Sequence, residues 1–210
     1  MILPNSPAHA ILLSGERCAQ FGKGDRSETY GSIDRRAQGS ACCTEYSRKV
    51  EEGIAAGVAD APEHLNQLID FFGGFVDRCH HAKEEEVLFP ELQKHGVKRE
   101  GGPIGVMLAE HEAGRRLVRE MSKALSSLRR GDQKASDGIR ETALEYRKLL
   151  RAHIDKENTV LFPMADRLLP DDTAGKAVAR FEEIERDRVG LGKHEAYHDM
   201  LHHLKDVYHV

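Results

Sequence analysis

Residues 80–90 read HHAKEEEVLFP, and residues 153–163 read HIDKENTVLFP. The two stretches share the pattern H-x-x-K-E-x-x-V-L-F-P, so the chain contains an internal repeat. In both copies the histidine and the glutamate are four residues apart, which on an α-helix places them on one face, about 6 Å apart along the axis. The repeat therefore predicts two related helices in a bundle of approximate two-fold symmetry.

The apolar residues around each copy indicate which side of the helix faces the core. Before the first copy they recur at 65, 69, 72 and 76, and His80 and Glu84 continue that series. In the second copy, His153 and Glu157 continue the series 139, 143, 146 and 150. The neighbours His81 and Glu85 fall with the polar positions, and we predict that both face solvent.

A third inward histidine, His111, follows the apolar positions 104, 107 and 108. Alone it would suggest a hydrogen-bonded core residue, and a single histidine–glutamate pair is common on helices. Burying several unpaired ionisable groups costs several kcal/mol, and a shared cation removes that cost. Imidazole and carboxylate without thiolate suit iron or manganese better than structural zinc. The predicted metal ligands are His80, Glu84, His111, His153 and Glu157.

Helical patterning continues through most of the chain from about Val50, and no long period-two alternation suggests a sheet. We predict that Pro90 and Pro163 break or kink their helices and that Gly96 and Gly131 end theirs. The predicted helices begin near Pro62 and Pro103, run from about Ser136 to Phe162, cover about 172–188, and end with a segment that includes Tyr197 and Tyr208.

The N-terminal segment differs in composition and apolar pattern: it mixes Gly, Ser and Arg and shows no sustained helical period. We therefore divide the chain into an atypical segment, 1–49, and a helical domain, 50–210. The cysteines, Cys18, Cys42, Cys43 and Cys79, show no C-x-x-C spacing. We interpret them as unpaired thiols in a reducing compartment.

The composition of the chain limits the classes of molecule that we expect it to bind. The 210 residues carry a net charge of −4, so no basic field favours nucleic acid. No run approaches the roughly 18 apolar residues of a membrane span, and the first residues lack the order of a secretory signal. We expect a cytoplasmic protein that contacts neither nucleic acid nor membrane.

The repeat, with Ala109-Glu110-His111-Glu112 between its copies, resembles the hemerythrin-like family, also called the HHE cation-binding domain. The spacings of 31 and 42 residues between the three histidines are similar to that family's, and the resemblance covers about residues 50–210. It implies an all-α, up-down four-helix bundle with extra C-terminal helices and a doubtful first helix. It also implies an oxo- or hydroxo-bridged di-iron centre, with manganese as the other metal considered, held by the five residues named above.

The sequence departs from the family on the first helix, where the family places a ligand histidine. Near residue 37 the chain reads Asp34-Arg35-Arg36-Ala37-Gln38, without a histidine. We hypothesise that residues 1–49 are translated from the wrong reading frame, since permitted codons for 29–49 read one base later can place a histidine at residue 37. With the sequence as written, water, His194 or His198 would complete the site, although these two histidines also fit the polar edge of an amphipathic helix.

Three functions follow from this site. The first is binding of O2, NO or iron for sensing, carriage or storage. The second is an enzyme that acts on peroxide or NO or repairs iron–sulphur clusters, as suggested for some relatives. The third is a helical partner-binding protein whose histidines and glutamates only pair with each other. We predict loss of iron in His153→Ala and Glu157→Ala, and little effect of His81→Ala or Glu85→Ala.

Overall fold

The computed structural model describes the backbone of residues 32–190 and 192–209, and the side chains from Thr44 onward except 171–176, 178, 182 and 194. In that part of the chain every regular element is a helix, which confirms the all-α class. The elements are α1 (Ser32–Ala55), α2 (Ala61–Phe71), π1 (Phe72–His81), π2 (Glu84–Leu88), α3 (Phe89–Lys94), α4 (Pro103–Arg129), α5 (Ala135–Lys156), π3 (Glu157–Leu161), α6 (Phe162–Leu168), α7 (Asp171–Arg188) and α8 (Lys193–Tyr208).

Four helical rods form the bundle: α1, then α2 through α3, then α4, then α5 through α6. Short connections join successive rods, as in antiparallel neighbours of an up-down bundle. Two contacts show that α1 and α5 run in opposite directions. Arg147 donates to Glu51 at 2.5 Å, and Arg151, farther along α5, donates to Thr44, which lies earlier in α1. The four-helix bundle that the resemblance to the hemerythrin-like family implied is confirmed.

The core of the bundle is divided into two apolar layers. One includes Leu68, Phe72 and Met121, and the other includes Leu88 and Ile104. Between these layers lie the polar residues that the sequence analysis selected, all of them buried or half-buried: His80, Glu84, His111, His153 and Glu157. The fold therefore holds a polar layer in the middle of the bundle, closed above and below by hydrocarbon.

The predicted helix ends at the glycines are correct, whereas the two prolines, expected to break or kink their helices, do not end them. Gly96 and Gly131 follow the last turns of α3 and α4 with φ of 88° and 96°, a left-handed conformation that favours glycine. The rods instead continue past Pro90 and Pro163 to Lys94 and Leu168. A π-helical segment precedes each proline, and its wider turn relieves the clash that the proline ring makes in an α-helix.

The doubtful first helix is present and begins at Ser32, inside the segment that we expected to lack sustained helix. Its apolar pattern is weak because its inward positions include Thr44 and Ser47 beside Tyr46 and Val50, all four of them buried. Packing against α5 and α2, rather than a strong sequence period, holds this helix. The reading-frame hypothesis stays a prediction, and most of the segment that it concerns lies outside the described side chains.

Of the two C-terminal helices, α7 packs on the second rod and α8 on both the first and the second rods. Phe181 and Ile184 of α7 cover Ala82 and Val87, and the buried ammonium of Lys83 donates to Glu185 at 2.9 Å. Tyr197 of α8 lies on Gly74, where a Cβ would stand 2.0 Å from its hydroxyl, so this position requires glycine. Among the described residues, no helix has both the length and the apolar character needed to cross a bilayer.

The end of α8 is held by His64, whose Nδ1 lies 2.8 Å from the hydroxyl of Tyr208. Burial, together with the nearby His203, lowers the pKa of His64 against the opposing effect of Asp60 and Glu63. The unfolded chain, with a histidine pKa of about 6.5, therefore binds this proton more readily than the folded chain. The stabilisation is present above that pH and is lost as the pH falls toward the lowered pKa.

We expect the melting temperature to fall between pH 7 and pH 5, and to fall less in His64→Gln, which removes this titrating group. Thermal denaturation followed by circular dichroism at each pH measures the difference. The matched control is His95→Gln, an exposed histidine at the end of α3, which should keep the wild-type pH dependence. Equal slopes in the wild type and His64→Gln would contradict the assignment.

Candidate metal centre

Six side chains of the polar layer form two clusters. His81, His111 and His153 each offer a ligand atom, and these atoms lie within 4.8 Å of one another. A second cluster of the same dimensions contains His80, Glu84 and Glu157. The structure thus brings together all five residues proposed from the sequence and adds His81 as a sixth.

The two glutamates lie between the clusters. Glu84 Oε2 is 3.2 Å from His111 Nε2, and Glu157 Oε1 is 3.1 Å from His153 Nε2, so both carboxylates reach the three-histidine cluster. The same Glu157 oxygen lies 3.3 Å from His80 Nε2 of the other cluster. Each carboxylate is therefore positioned to be shared by two cations, one in each cluster.

The prediction that His81 faces solvent is wrong. His81 is only 7% exposed, and its ring stacks on that of His111 with centroids 3.9 Å apart. The cause is π1, which spans Phe72–His81. A π-helix has more residues per turn than an α-helix, so the inward direction drifts along the segment and the adjacent His80 and His81 both reach the polar layer. Counting at 3.6 residues per turn selected only the first of them.

A ring of carboxylates surrounds the three-histidine cluster. His111 Nδ1 lies 2.7 Å from Glu85 and His153 Nδ1 lies 3.0 Å from Glu110, while His81 Nδ1 is 3.5 Å from Asp77. A carboxylate only accepts hydrogen bonds, so Nδ1 of His111 and of His153 carries the hydrogen. Their Nε2 atoms then keep a lone pair directed into the bundle, as metal-ligating histidines require.

Cationic side chains hold these outer carboxylates in place. Arg115 donates to Asp77 at 2.7 Å and to Glu85 at 2.6 Å, and thereby links the supports of His81 and His111. Lys156 donates to Glu110 at 2.6 Å. Glu85 was predicted to lie on the solvent side of its helix. The structure shows instead that this carboxylate is half-buried and orients a buried histidine.

The pKa values show how strongly the glutamates attract positive charge. Burial opposes protonation of His111 and His153, but the carboxylates beside them outweigh it and raise both pKa values. Burial is outweighed at Glu157 too, where the adjacent imidazoles of His153 and His80 lower the pKa of the carboxyl group. His81 differs, since burial lowers its pKa to about 3 despite the nearby Asp77, so it is a neutral imidazole with a free lone pair at neutral pH.

The hydrogen-bonding inventory tests whether a cation fits. Both oxygens of Glu84, which is fully buried, lack a hydrogen-bond partner, as do Nε2 of His111 and Nε2 of His153. The imidazole nitrogens of His111 and His153 lie 3.2 and 3.1 Å from the nearest oxygens of Glu84 and Glu157, but neither pair has the alignment of a hydrogen bond. Two ligands about 2.1 Å from one metal ion, at right angles, are separated by roughly 3 Å. The residues fit a cation that these atoms share.

Of the two C-terminal histidines considered as substitute ligands, the structure describes the side chain of His198, which lies away from the site. His198 is exposed and follows Tyr197, which donates to the carbonyl oxygen of Asp70, nearly three helical turns before His80. The expectation that His198 completes the site is therefore wrong, and the side chain of His194 lies outside the described residues. Cys79 is a free, buried thiol, as expected for this residue.

Replacing Glu85 by glutamine is expected to weaken metal binding by about 10- to 100-fold, the usual effect of losing an outer partner of a metal ligand. The imidazole N–H of His111 and the guanidinium of Arg115 both donate to Oε1 of Glu85, and an uncharged amide oxygen accepts these hydrogen bonds more weakly than a carboxylate. Competition with a coloured chelator measures the affinity. The control is the adjacent Glu86→Gln, which removes an exposed ion pair with Arg188. Equal affinities in the two variants would contradict the role of Glu85.

Four antiparallel helical rods around a buried layer of histidines and glutamates define a helical-bundle metal-binding protein. The family model described as the hemerythrin HHE cation-binding domain matches residues 44–165, and the chain belongs to this family. The match begins within α1 and ends in α6, so it covers the whole candidate centre and excludes α7 and α8.

Curated relatives are more distant. The chain is 27% identical over 143 residues to uncharacterized protein Rv1995 of Mycobacterium tuberculosis. The alignment covers 66% of this chain and 55% of that protein. It is 35% identical over 119 residues to iron-sulfur cluster repair protein YtfE of Yersinia pseudotuberculosis. This alignment covers 55% of this chain and 48% of the YtfE protein. The YtfE protein of Yersinia pestis is 32% identical over 118 residues, with the same coverage. The chain thus spans about half the length of these relatives, and no solved structure matches it.

Proposed function

We propose that this protein binds a pair of non-haem iron ions and uses them to bind O2, NO or further iron, as a sensor, carrier or store. The observation that carries the proposal is the fully buried carboxylate of Glu84, which has no hydrogen bond and lies close both to the three-histidine cluster and to His80. A buried charge of this kind is tolerated when cations compensate it. Glu157, shared in the same way, supports two cations rather than one.

The donor set supports iron. Four imidazoles and two carboxylates without a thiolate match the ligands preferred by iron and manganese, and neither described cluster contains a cysteine. Shared carboxylates in a helical bundle are a known arrangement for di-iron and di-manganese centres. Manganese is the second metal to test.

The residues of the chain would bind, orient and shield this pair. Glu84 and Glu157 would each contribute to both positions, while Glu85 and Glu110 orient the imidazoles of His111 and His153 through Nδ1. The apolar layers keep bulk water away along the bundle axis. Bound iron would supply the redox chemistry that the protein side chains lack. The side chain of His80 is 35% exposed, and we propose that a small ligand would approach the centre from this side.

A second candidate is an enzyme that acts on peroxide or NO or participates in iron–sulphur cluster repair. The similarity to two proteins named iron-sulfur cluster repair protein YtfE favours it, because the aligned 119 residues exceed half of this chain. The same centre serves both candidates, so only turnover separates them.

The test is iron and manganese content of the aerobically purified protein, together with its absorption spectrum. Two irons per chain with near-ultraviolet charge-transfer bands support the proposal, and consumption of peroxide or NO under multiple turnover then assigns the enzyme. Reversible spectral changes with O2 or NO and no turnover assign the binding protein. A folded protein that takes up no metal from added Fe²⁺ would overturn both candidates and favour the partner-binding alternative.

A further inference from the structure

Lys83 is a buried cation whose role the candidate centre does not explain. The repeat places it directly before Glu84, its side chain is 6% exposed, and its ammonium donates to Glu185 of α7 at 2.9 Å. A buried charge is tolerated when an opposite charge compensates it. The two oxygens of Glu84 are buried and lack a hydrogen bond, yet the ammonium binds Glu185 instead. The partner of this lysine therefore comes from outside the four rods of the bundle.

The lysine of the second copy is bound in a similar way. Lys156 directly precedes Glu157, and its ammonium donates to Glu110 of α4 at 2.6 Å. In both copies a carboxylate from another helix therefore binds the lysine that precedes a shared glutamate. The copies differ in solvation, because the side chain of Lys156 is 38% exposed and that of Lys83 is 6% exposed. Water can solvate Lys156 when its partner is removed, whereas Lys83 depends on Glu185.

The first copy has an outer face suited to a covering helix. Phe181 of α7 packs on Ala82 and Val87, which are both buried. The equivalent residues of the second copy are Asp155 and Val160, and both are exposed. Since α7 lies beyond the residues that the family model matches, this cover is an addition to the matched bundle. It is the cover that brings Glu185 to Lys83.

From these contacts, and resting on the proposed function, we infer that Glu185 is a positioning residue of the metal centre. It binds the ammonium of Lys83 and thereby keeps the carboxylate of Glu84 free to bind metal. Without this partner the ammonium, on its flexible four-carbon stem, would pair with Glu84 or remain as uncompensated positive charge beside the cations. Both results oppose metal binding. The helix α7 thus takes part in metal binding, although none of its described side chains belongs to either cluster.

The first experiment compares Glu185→Gln with the wild type. The metal-free, full-length protein is titrated with Fe²⁺ under anaerobic conditions, in competition with a chelator. We expect the substitution to weaken Fe²⁺ binding by about 10-fold or more, as for loss of an outer partner of a metal ligand. The matched control is Glu183→Gln, on the same helix, which removes an exposed contact with Arg180 and should leave the affinity unchanged.

The second experiment removes the ammonium itself. In the double variant Lys83→Met/Glu185→Gln no buried cation remains, and we expect Fe²⁺ affinity to return toward the wild-type value. Replacing a buried ion pair by residues of similar volume commonly preserves the fold. This rescue depends on the charge of Lys83 and not on the packing of α7.

The third experiment separates metal affinity from stability. Ile184→Val removes one methylene group from the contact between α7 and the first copy. We expect a lower melting temperature of the metal-free protein, since a small cavity is left, with unchanged Fe²⁺ affinity. Glu185→Gln, in contrast, should lower the affinity of protein that circular dichroism shows to be fully folded.

The outcomes distinguish this inference from the proposed function. A wild-type protein that binds no metal would overturn the proposed function. Wild-type affinity in folded Glu185→Gln would overturn only the role of Glu185 and leave the paired centre intact. An equal loss of affinity in Ile184→Val, or a double variant that binds Fe²⁺ as weakly as Glu185→Gln, would show that α7 acts through packing alone. If Glu185→Gln does not fold, the double variant still decides, because reduced affinity in it contradicts the inference.

Discussion

Glu157→Gln is expected to abolish binding of both metal ions, because this carboxylate contacts a histidine of each cluster. Its oxygen lies 3.1 Å from His153 and 3.3 Å from His80. The amide keeps the size of the side chain but removes the negative charge that offsets two cations. Iron content after aerobic purification should fall from about two per chain to about none, as expected for loss of a bridging ligand.

Glu141→Gln is the matched control. Glu141 is an exposed glutamate on α5, in the same rod as Glu157, and its substitution should leave iron content and spectrum unchanged. Circular dichroism of both variants distinguishes loss of metal from loss of fold. A Glu157→Gln protein that retains both irons would show that the shared carboxylate is not a ligand.

His81→Ala is expected to remove the metal of the three-histidine position, although the sequence pattern predicted little effect. The structure buries this imidazole in contact with His111, and a neutral imidazole with a free lone pair is the form that binds metal. Loss of one of three nitrogen donors should weaken that position by more than the roughly 100-fold that an outer partner contributes. Competition titration with Fe²⁺ measures the change.

The control for this variant is Arg78→Gln, three residues earlier in π1 with an exposed side chain. It should bind metal as the wild type does. Equal affinity of His81→Ala and Arg78→Gln would mean that the original interpretation of the helix face was sound and that His81 serves only to pack the bundle.

Much of the bundle follows from the sequence. Glycines at 96 and 131 end helices where expected, and the repeat predicted the two rods that carry most of the site. The inward placement of Glu84, His111 and His153 follows from apolar periodicity, since each of these polar residues occupies a position at which the apolar series faces the core. The predicted bundle class is correct for the same reason.

Each feature that the sequence analysis missed has a physical cause that apolar periodicity does not show. Periodicity analysis assumes 3.6 residues per turn, and π1 violates that assumption where His80 and His81 are adjacent. A signal was available in the second histidine of the first copy, which the second copy lacks, and in the prolines that follow π2 and π3. The first helix was missed because packing, rather than its own pattern, stabilises it, and Glu85 was missed because sequence does not show that Arg115 and His111 converge on it.

The polar layer also has a consequence for the lifetime of the protein. Since it separates two apolar layers, the middle of the bundle gains little from hydrophobic burial, and bound cations contribute stability there through mass action. A chain that lacks metal should open more often at this plane, which exposes it to proteases. Cellular abundance of the protein would then rise and fall with iron supply, without any change in transcription.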